Sequence, residues 1–206
     1  MRTHQGLDRL ITFLDAVVAI AITLLVLPLV ELVAGEGRET DLAAVFSHHG
    51  NQFAAFLLSF AVIARLWWAH HRLGEQVGAY DGAFVLINVV WVLTIVFLAF
   101  ATQVVVTYRA DRLAVALYIG TMTASSVCLL LLTLLLRRRP SLRREDVQTE
   151  DINLPAALST TMLLVLALVL GVALPAVNYW ALLLLLLSGP FEWLIRQRVR
   201  VGRSSG

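Results

Sequence analysis

The chain has 206 residues, of which 59% are hydrophobic and 15% are charged, and its mean hydropathy is +0.82. Soluble proteins carry about 25% charged residues, so this composition excludes an ordinary soluble domain and indicates a membrane protein. The formal net charge of +2 is too small to predict a nucleic-acid partner. The single cysteine, Cys128, excludes an intrachain disulfide or a thiolate metal site, and we interpret it as a small apolar residue.

Six apolar segments follow one another along the chain, each with about the 20 residues that a helix needs to cross a bilayer. In chain order they cover residues 10–33, 51–70, 82–108, 113–136, 154–174 and 176–195. The connection at 35–50 carries His48 and His49, and we interpret it as a solvated loop rather than a zinc site. The sequence therefore predicts an all-α, polytopic membrane protein, with a single domain over residues 1–200 and a disordered tail at 201–206.

The arginines indicate the orientation of these helices, because basic residues concentrate on the cytoplasmic side of a membrane. If both termini are cytoplasmic, thirteen of the sixteen arginines lie inside, and only Arg38, Arg109 and Arg112 lie outside. An odd number of helices would break this alternation. We therefore predict six transmembrane helices with both termini in the cytoplasm.

Ionisable and polar residues within the first three predicted helices are candidates for function, because such groups are expensive inside a bilayer. Asp15 lies about two turns into the first helix, His70 and His71 end the second, and Asn88 lies in the third. We expect these residues and Arg9 to form a polar network near the cytoplasmic side. Two interpretations remain open: the network fixes helix packing, or Asp15 and one histidine relay protons.

Asp81 lies at the same predicted level of the membrane. Neighbouring residues on a helix point about 100° apart, so the adjacent histidines His70 and His71 form a poor metal chelate. We interpret three nearby tryptophans as interfacial or packing residues, namely Trp67, Trp68 and Trp91.

A second face of the first helix carries an apolar stripe. Five residues at about 100° each place Ile20 about 140° around the helix from Asp15. Thr23, Leu24 and Leu27 extend the stripe from Ile20. This stripe contacts lipid, another subunit or a pore, and composition alone leaves all three open.

The motif Arg9-x-x-x-Phe13-Leu14-Asp15 resembles the Arg-x-x-x-Phe-Ser-Asp signature of the transmembrane protein 175 potassium channels. The run Trp68-Ala69-His70-His71-Arg72-Leu73, followed by Asp81, Asn88 and Phe97-Leu98-Ala99-Phe100-Ala101-Thr102, is similar to the second and third helices of that family. Leu14 replaces the signature serine, and Ala99 and Ala101 replace two prolines. The third helix is therefore expected to run straighter here, since proline removes backbone hydrogen bonds.

The resemblance implies a homotetramer in the cell inner membrane, with four copies of the first helix around a central pore. It implies a hydrophobic constriction at Ile20, with Leu24 and Leu27 further along, and a polar ring at Thr23 that assists potassium selection. It also implies a polar network, made of Arg9, Phe13, Asp15, His70, His71, Asp81 and Asn88.

The function we predict is a potassium-permeable, leak-type cation channel, with potassium ions, the lipid bilayer and copies of the chain as partners. A proton-coupled carrier or proton pathway using Asp15 and His70 or His71 is the alternative, and a membrane scaffold without transport is a third. We expect no enzyme and no cofactor, because the sequence lacks a catalytic trio in polar surroundings, a glycine-rich phosphate loop and a cofactor motif.

Overall fold

The computed structural model describes residues 4–35, 41–108 and 111–173. This described part forms seven α-helices and one 3₁₀ turn. They are α1 (His4–Leu24), α2 (Leu27–Gly35), α3 (Leu42–His48), α4 (Gly50–Gly74), α5 (Gly82–Thr107), α6 (Arg112–Arg138), the turn Pro140–Leu142, and α7 (Leu154–Ala173). Within it the only β pairing is an isolated bridge between Val77 and Arg143. The predicted all-α class is confirmed.

Five segments of the described chain are long and apolar enough to cross a membrane. They are Gln5–Gly35, which joins α1 and α2, and the helices α4, α5, α6 and α7. These coincide with the first five predicted segments. The sixth predicted helix, 176–195, and the predicted tail, 201–206, lie outside the described residues.

The predicted loop at 35–50 needs a correction, because it contains the short helix α3. Asp41 precedes α3 in an extended conformation, and its carboxylate accepts a hydrogen bond from the Ala43 amide at 3.4 Å. A carboxylate at this position satisfies an amide that has no partner inside the helix. Seven residues are too few to show a hydrophobic period in the sequence.

The first membrane segment is broken, whereas the sequence analysis expected one continuous helix. α1 ends at Leu24 and α2 begins at Leu27. Pro28 explains why the helix breaks between Leu24 and Leu27. Proline has no amide hydrogen, and its ring would collide with the carbonyl four residues earlier, that of Leu24. At the break the Leu25 and Val26 amides donate to carbonyls only three residues back, at 3.3 and 3.2 Å.

Aspartates determine where α5 and α6 begin. The Asp81 carboxylate accepts from the Phe84 amide at 2.9 Å, and the Asp111 carboxylate accepts from the Leu113 and Ala114 amides at 2.7 and 3.1 Å. Such caps stabilise a helix by about 1 kcal/mol each. α5 then continues through Ala99 and Ala101 without interruption, as expected from the absence of the two prolines.

The helices pack around α6, which lies between α5 and α7, while α1 packs against α4 and α5. The main core joins residues from α1, α4, α5, α6 and α7, and five of its large side chains are no more than 2% exposed: Leu14, Ile63, Trp91, Ile95 and Tyr118. Cys128 on α6 is buried too, in agreement with its interpretation as an apolar residue.

At the predicted cytoplasmic end, the α4–α5 and α6–α7 connections are hydrogen-bonded to each other. The Gly78 amide donates to the Leu142 carbonyl at 2.9 Å, and the Arg144 amide donates to the Gln76 carbonyl at 3.0 Å. A Cβ at Gly78 would lie 2.8 Å from the Arg143 carbonyl oxygen, so this approach requires glycine. These bonds hold the ends of α4 and α5, which carry the polar residues.

Candidate functional site

One face of α1 is fixed against the rest of the subunit. The buried residues recur at helical spacings of three, four and seven, and they are Leu7, Leu14, Val18 and Ala21 of α1 and Leu25 directly after its end. Four of them, from Leu14 onward, join the main core with residues of α4 and α5. Leu14, which stands where the family signature has serine, is fully buried. An aliphatic side chain there packs in the core instead of adding a hydroxyl to a polar network.

The other face of α1 is exposed and apolar. Phe13 and Ile20 are each 59% exposed, and Leu24 and Leu27 are 43% and 50% exposed. Leu27 lies beyond the break, on α2, so its position relative to Ile20 is not the one expected from a continuous helix. The subunit thus presents to its surroundings the stripe that the sequence analysis identified.

Thr23 is exposed on this same face. Its hydroxyl donates to the Ile20 carbonyl at 2.8 Å, rather than to the Ala19 carbonyl four residues back. The hydrogen of the hydroxyl is therefore used inside the helix, and the oxygen keeps lone pairs that can accept a hydrogen bond or contact a cation.

Asp15 has a different partner from those expected. The indole nitrogen of Trp67 on α4 donates to its carboxylate at 2.8 Å, whereas the sequence analysis expected His70, His71, Arg9 or Asn88. Trp67 lies three residues before His70, so the two side chains share one face of α4. This spacing could have predicted Trp67 as a partner of Asp15, but Trp67 was interpreted as a belt or packing residue.

His70 and Asn88 form a separate buried pair that joins α4 to α5. His70 Nε2 lies 2.6 Å from Asn88 Oδ1, and the Asn88 amide nitrogen donates to the Phe84 carbonyl at 2.8 Å. The His70 ring stacks on Trp91, with centroids 3.9 Å apart and planes 6° apart. His70, Asn88 and Trp91 are all buried. Trp91 is therefore a core residue that covers the histidine.

His71 faces other neighbours, as the 100° step between adjacent helical residues requires. Its ring lies 5.4 Å from that of Trp67 and 5.8 Å from that of Trp68. Its Nε2 lies 3.8 Å from the Glu75 carboxylate, one turn further along the chain. Throughout the described ranges, no three His, Cys, Asp or Glu side chains are grouped to hold a metal ion.

Asp81 is engaged at the helix ends rather than with Asp15. Besides capping α5, its carboxylate contacts the Arg139 guanidinium that follows α6. The hydrogen bond from the Phe84 amide, assisted by Arg139, holds the pKa of Asp81 below its ordinary value of 3.8. Arg9 and Phe13 are exposed on α1. The residues predicted as one network are therefore distributed over the Asp15–Trp67 pair, the His70–Asn88 pair, the Asp81 cap and the surface of α1.

A second polar cluster, which the sequence analysis missed, joins α4, α5 and α6. The Thr102 hydroxyl lies 2.9 Å from the Ser59 hydroxyl and 2.8 Å from the Leu98 carbonyl. Ser59 in turn lies 3.0 Å from the Tyr118 hydroxyl. All three side chains are buried. Isolated hydroxyl residues in apolar helices are the available signal for such a cluster, because each of them needs a partner inside the protein.

Comparison with known proteins shows which proteins the chain is similar to. A family model described as "Endosomal/lysosomal potassium channel TMEM175" matches residues 9–98. A potassium channel of Chamaesiphon minutus is 33% identical over 126 residues, which are 58% of this chain and 60% of that protein. The solved structure of a lysosomal potassium-selective channel TMEM175 homolog from the same organism superposes with a TM-score of 0.57 at 27% identity, covering 88% of this chain and 98% of the other.

The chain is similar to the TMEM175 channels in sequence over residues 9–98 and in fold over most of its length. The human endosomal/lysosomal proton channel TMEM175 is 28% identical over 114 residues, and this match covers 55% of the chain but only 22% of the human protein. The chain thus aligns with a small part of the human relative and with about 60% of the bacterial one. The TMEM175 family match includes Asp15, Trp67, His70 and Asn88, and it ends within α5. The structural superposition, which covers 88% of the chain, extends the similarity beyond this family match.

Proposed function

We propose that this chain is the subunit of a potassium-permeable, leak-type cation channel of the cell inner membrane, in which residues 1–200 form one channel domain. Four copies surround a central pore lined by the first membrane segment. The bacterial relatives from Chamaesiphon minutus and Streptomyces collinus that carry the name potassium channel support the substrate class. The family that the chain matches is described as a channel, which favours transport over an enzymatic role.

The observation that carries the proposal is the division of α1 into two faces. Leu14 and Val18 pack into the core, and Asp15 is hydrogen-bonded to α4. Ile20 points away from the subunit, with 59% of its surface exposed. In a tetramer, four such faces can converge on one axis, and a ring of four isoleucines is narrow and apolar enough to close by dewetting.

Leu24 and Leu27 continue this lining beyond Ile20, and Thr23 adds a ring of hydroxyl oxygens between Ile20 and Leu24. Because the Thr23 hydrogen is directed to the Ile20 carbonyl, the oxygen can present lone pairs to an ion that leaves the dry constriction. Potassium loses its hydration shell more readily than sodium, so partial coordination of this kind favours potassium. A selectivity of this origin is weaker than that of a filter built from backbone carbonyls.

Replacing Ile20 with Asn tests the pore. Four amides would hydrate the constriction that four isoleucines keep dry, so basal potassium flux from liposomes and single-channel open probability should both rise. Leu93→Asn is the matched control, because Leu93 is similarly exposed, at 63%, but lies on α5. Unchanged currents in Ile20→Asn, or an equal rise in both variants, would remove Ile20 from the pore.

A proton pathway is the second candidate, and four animal relatives carry the name proton channel. Asp15 and His70 are titratable groups within the membrane segments, each with a polar partner on a neighbouring helix. A pH-sensitive dye trapped in liposomes measures proton entry directly. Proton flux that is lost in Asp15→Asn, without a potassium current in the same preparation, would favour this candidate over the channel for potassium.

A further inference from the structure

A groove of about 500 Å³ lies between the membrane helices α4, α6 and α7. α6 packs against both α4 and α7, and residues of these three helices and of the adjoining connections line the groove. None of the described lining residues belongs to α1, α2 or α5. The groove is therefore separate from the face of α1 that we propose for the pore.

The groove has its charged and amide side chains toward one end. Leu58, Arg65 and Arg72 recur at intervals of seven residues on α4, so they share one face of that helix. Arg72 lies two residues before the end of α4, and Asp151 and Asn153 line the groove just before α7 begins. Both of these helix ends lie on the predicted cytoplasmic side. The other end of the groove, around Leu58, is apolar.

The length of the groove corresponds to one leaflet of a bilayer. Arg72 follows Leu58 by 14 residues, and at about 1.5 Å per residue the two lie about 21 Å apart along α4. Half of a bilayer, with its headgroups, is about 20–22 Å thick. Small side chains in the walls leave room for a hydrocarbon chain, among them Ala61 on α4 and Ala157 on α7.

The polar end offers hydrogen-bond donors that suit a phosphate. Arg72 is exposed, and its guanidinium has no hydrogen bond or ion pair within the described ranges. Asn153 Oδ1 accepts from the Ala156 amide at 3.1 Å, which leaves the side-chain amide hydrogens of Asn153 available to donate. Arg65 is half-buried, and a long arginine side chain can extend toward the membrane surface. Guanidinium groups form strong, charge-assisted hydrogen bonds with phosphate.

The charge of the lining favours an anionic headgroup over a neutral one. Arg65, Arg72 and Asp151 are the charged residues of the described lining, so its formal net charge is +1. Basic pockets between membrane helices on the cytoplasmic side bind the headgroups of anionic lipids. Trp68, which is 53% exposed, also lines the groove, and tryptophan is common at the level of the headgroups.

We propose that this groove binds one anionic phospholipid of the cytoplasmic leaflet. The lipid phosphate contacts Arg72 and Asn153, and Arg65 adds positive charge below it. One acyl chain passes Ala61 and extends toward Leu58. Binding of the lipid does not depend on ion conduction, so this site and the proposed channel function can fail independently.

Native mass spectrometry of the full chain in detergent measures the binding of individual lipids. The probes are dioleoyl phosphatidylglycerol, which is anionic, and dioleoyl phosphatidylcholine, which is neutral overall. The wild type should bind phosphatidylglycerol several-fold more tightly than phosphatidylcholine. Arg72→Gln should weaken the binding of phosphatidylglycerol about fivefold, which corresponds to the contribution of about 1 kcal/mol from one arginine near a membrane surface.

Arg138→Gln is the matched control, because Arg138 is also exposed at the predicted cytoplasmic end but is not among the described residues that line the groove. It removes the same charge, so it should bind phosphatidylglycerol as the wild type does. Ala61→Phe should weaken binding several-fold although both groove arginines remain, because the added ring occupies the path of the acyl chain. A site for free phosphate would not respond to Ala61→Phe, and this variant keeps the test valid if Arg72→Gln does not fold.

The proposal is overturned if the wild type binds both lipids equally, if Arg72→Gln and Arg138→Gln weaken binding to the same extent, or if Ala61→Phe binds as the wild type does. A groove filled by the predicted sixth helix, 176–195, or by a second copy of the chain would bind neither lipid, and that result would overturn the proposal too. A protein with the expected lipid pattern that conducts no ions in liposomes would refute the channel and leave the lipid site standing.

Discussion

The His70–Asn88 pair allows a prediction whose magnitude follows from the structure. Both side chains are buried, at 3% and 0% exposure, and they lie 2.6 Å apart between α4 and α5. Asn88→Leu keeps the volume of the side chain nearly constant but leaves His70 Nε2 without its partner. His70 Nδ1 already has none within the described ranges, so this variant would leave the whole imidazole unpaired.

Two energetic effects determine how far Asn88→Leu destabilises the fold. A hydrogen bond between membrane helices contributes about 0.6 kcal/mol on average, whereas a buried polar group left without a partner costs about 1–3 kcal/mol. The second effect is larger, so Asn88→Leu should lower the free energy of unfolding by about 1–3 kcal/mol. The double variant His70→Phe, Asn88→Leu should lose less than about 1 kcal/mol, because it removes both partners together.

The His70→Phe substitution preserves packing, since a phenyl ring can occupy the plane in which His70 stacks on Trp91. Unfolding in mixed dodecylmaltoside and SDS micelles, followed by circular dichroism, gives the free energies of the four proteins in this double-mutant cycle. The reasoning is refuted if the double variant is as unstable as Asn88→Leu, or if Asn88→Leu alone is as stable as the wild type. The first result would mean that packing, and not the orphaned imidazole, dominates.

Three further predictions concern single residues. Asp15→Ala should reduce thermal stability and tetramer recovery more than ion preference, because the Trp67 indole loses its acceptor; Asp15→Asn, which retains an oxygen, should be milder. Thr23→Val should move the bi-ionic reversal potential toward equal potassium and sodium permeability while leaving the tetramer intact, and coincident potentials would contradict a role in selectivity. Because the pKa of Asp81 is held below 3.8 in the folded chain, its charge stabilises the fold above that pH, and the contribution disappears as pH falls through the lowered pKa. The difference in melting temperature between the wild type and Asp81→Asn should therefore shrink in acid, and a difference constant from pH 7 to pH 3 would exclude this linkage.

The positions of the membrane helices could be predicted from the sequence, because crossing a bilayer depends on the length and hydropathy of a continuous segment. The observed starts of α5 and α7 agree with the predicted ones, at Gly82 and Leu154. The two faces of α1 were predictable as well, because the angle between two side chains on one helix follows from its period. Ile20 is exposed and its neighbour Ala21 is buried for this reason.

The partners of the polar side chains could not be predicted in the same way. Asp15, Trp67 and His70 lie on helices whose relative rotation depends on packing throughout the core, and a small rotation exchanges one partner for another. Two donors one turn apart on α4 are therefore equally compatible with Asp15 in the sequence. The buried cluster of Ser59, Thr102 and Tyr118 depends on three helices at once, which local patterns do not report.

The break near Pro28 changes how the proposed gate can move. Ile20 lies between Val18 and Ala21, which are 2% and 1% exposed, so rotating α1 at Ile20 would require unpacking its buried face. Leu27 lies beyond a point where ordinary helical hydrogen bonds are missing, so α2 can change its direction without disturbing that face. We therefore expect the width of the pore at Leu27 to change independently of its width at Ile20, and not through the rotation of one rigid helix that a continuous segment would have required.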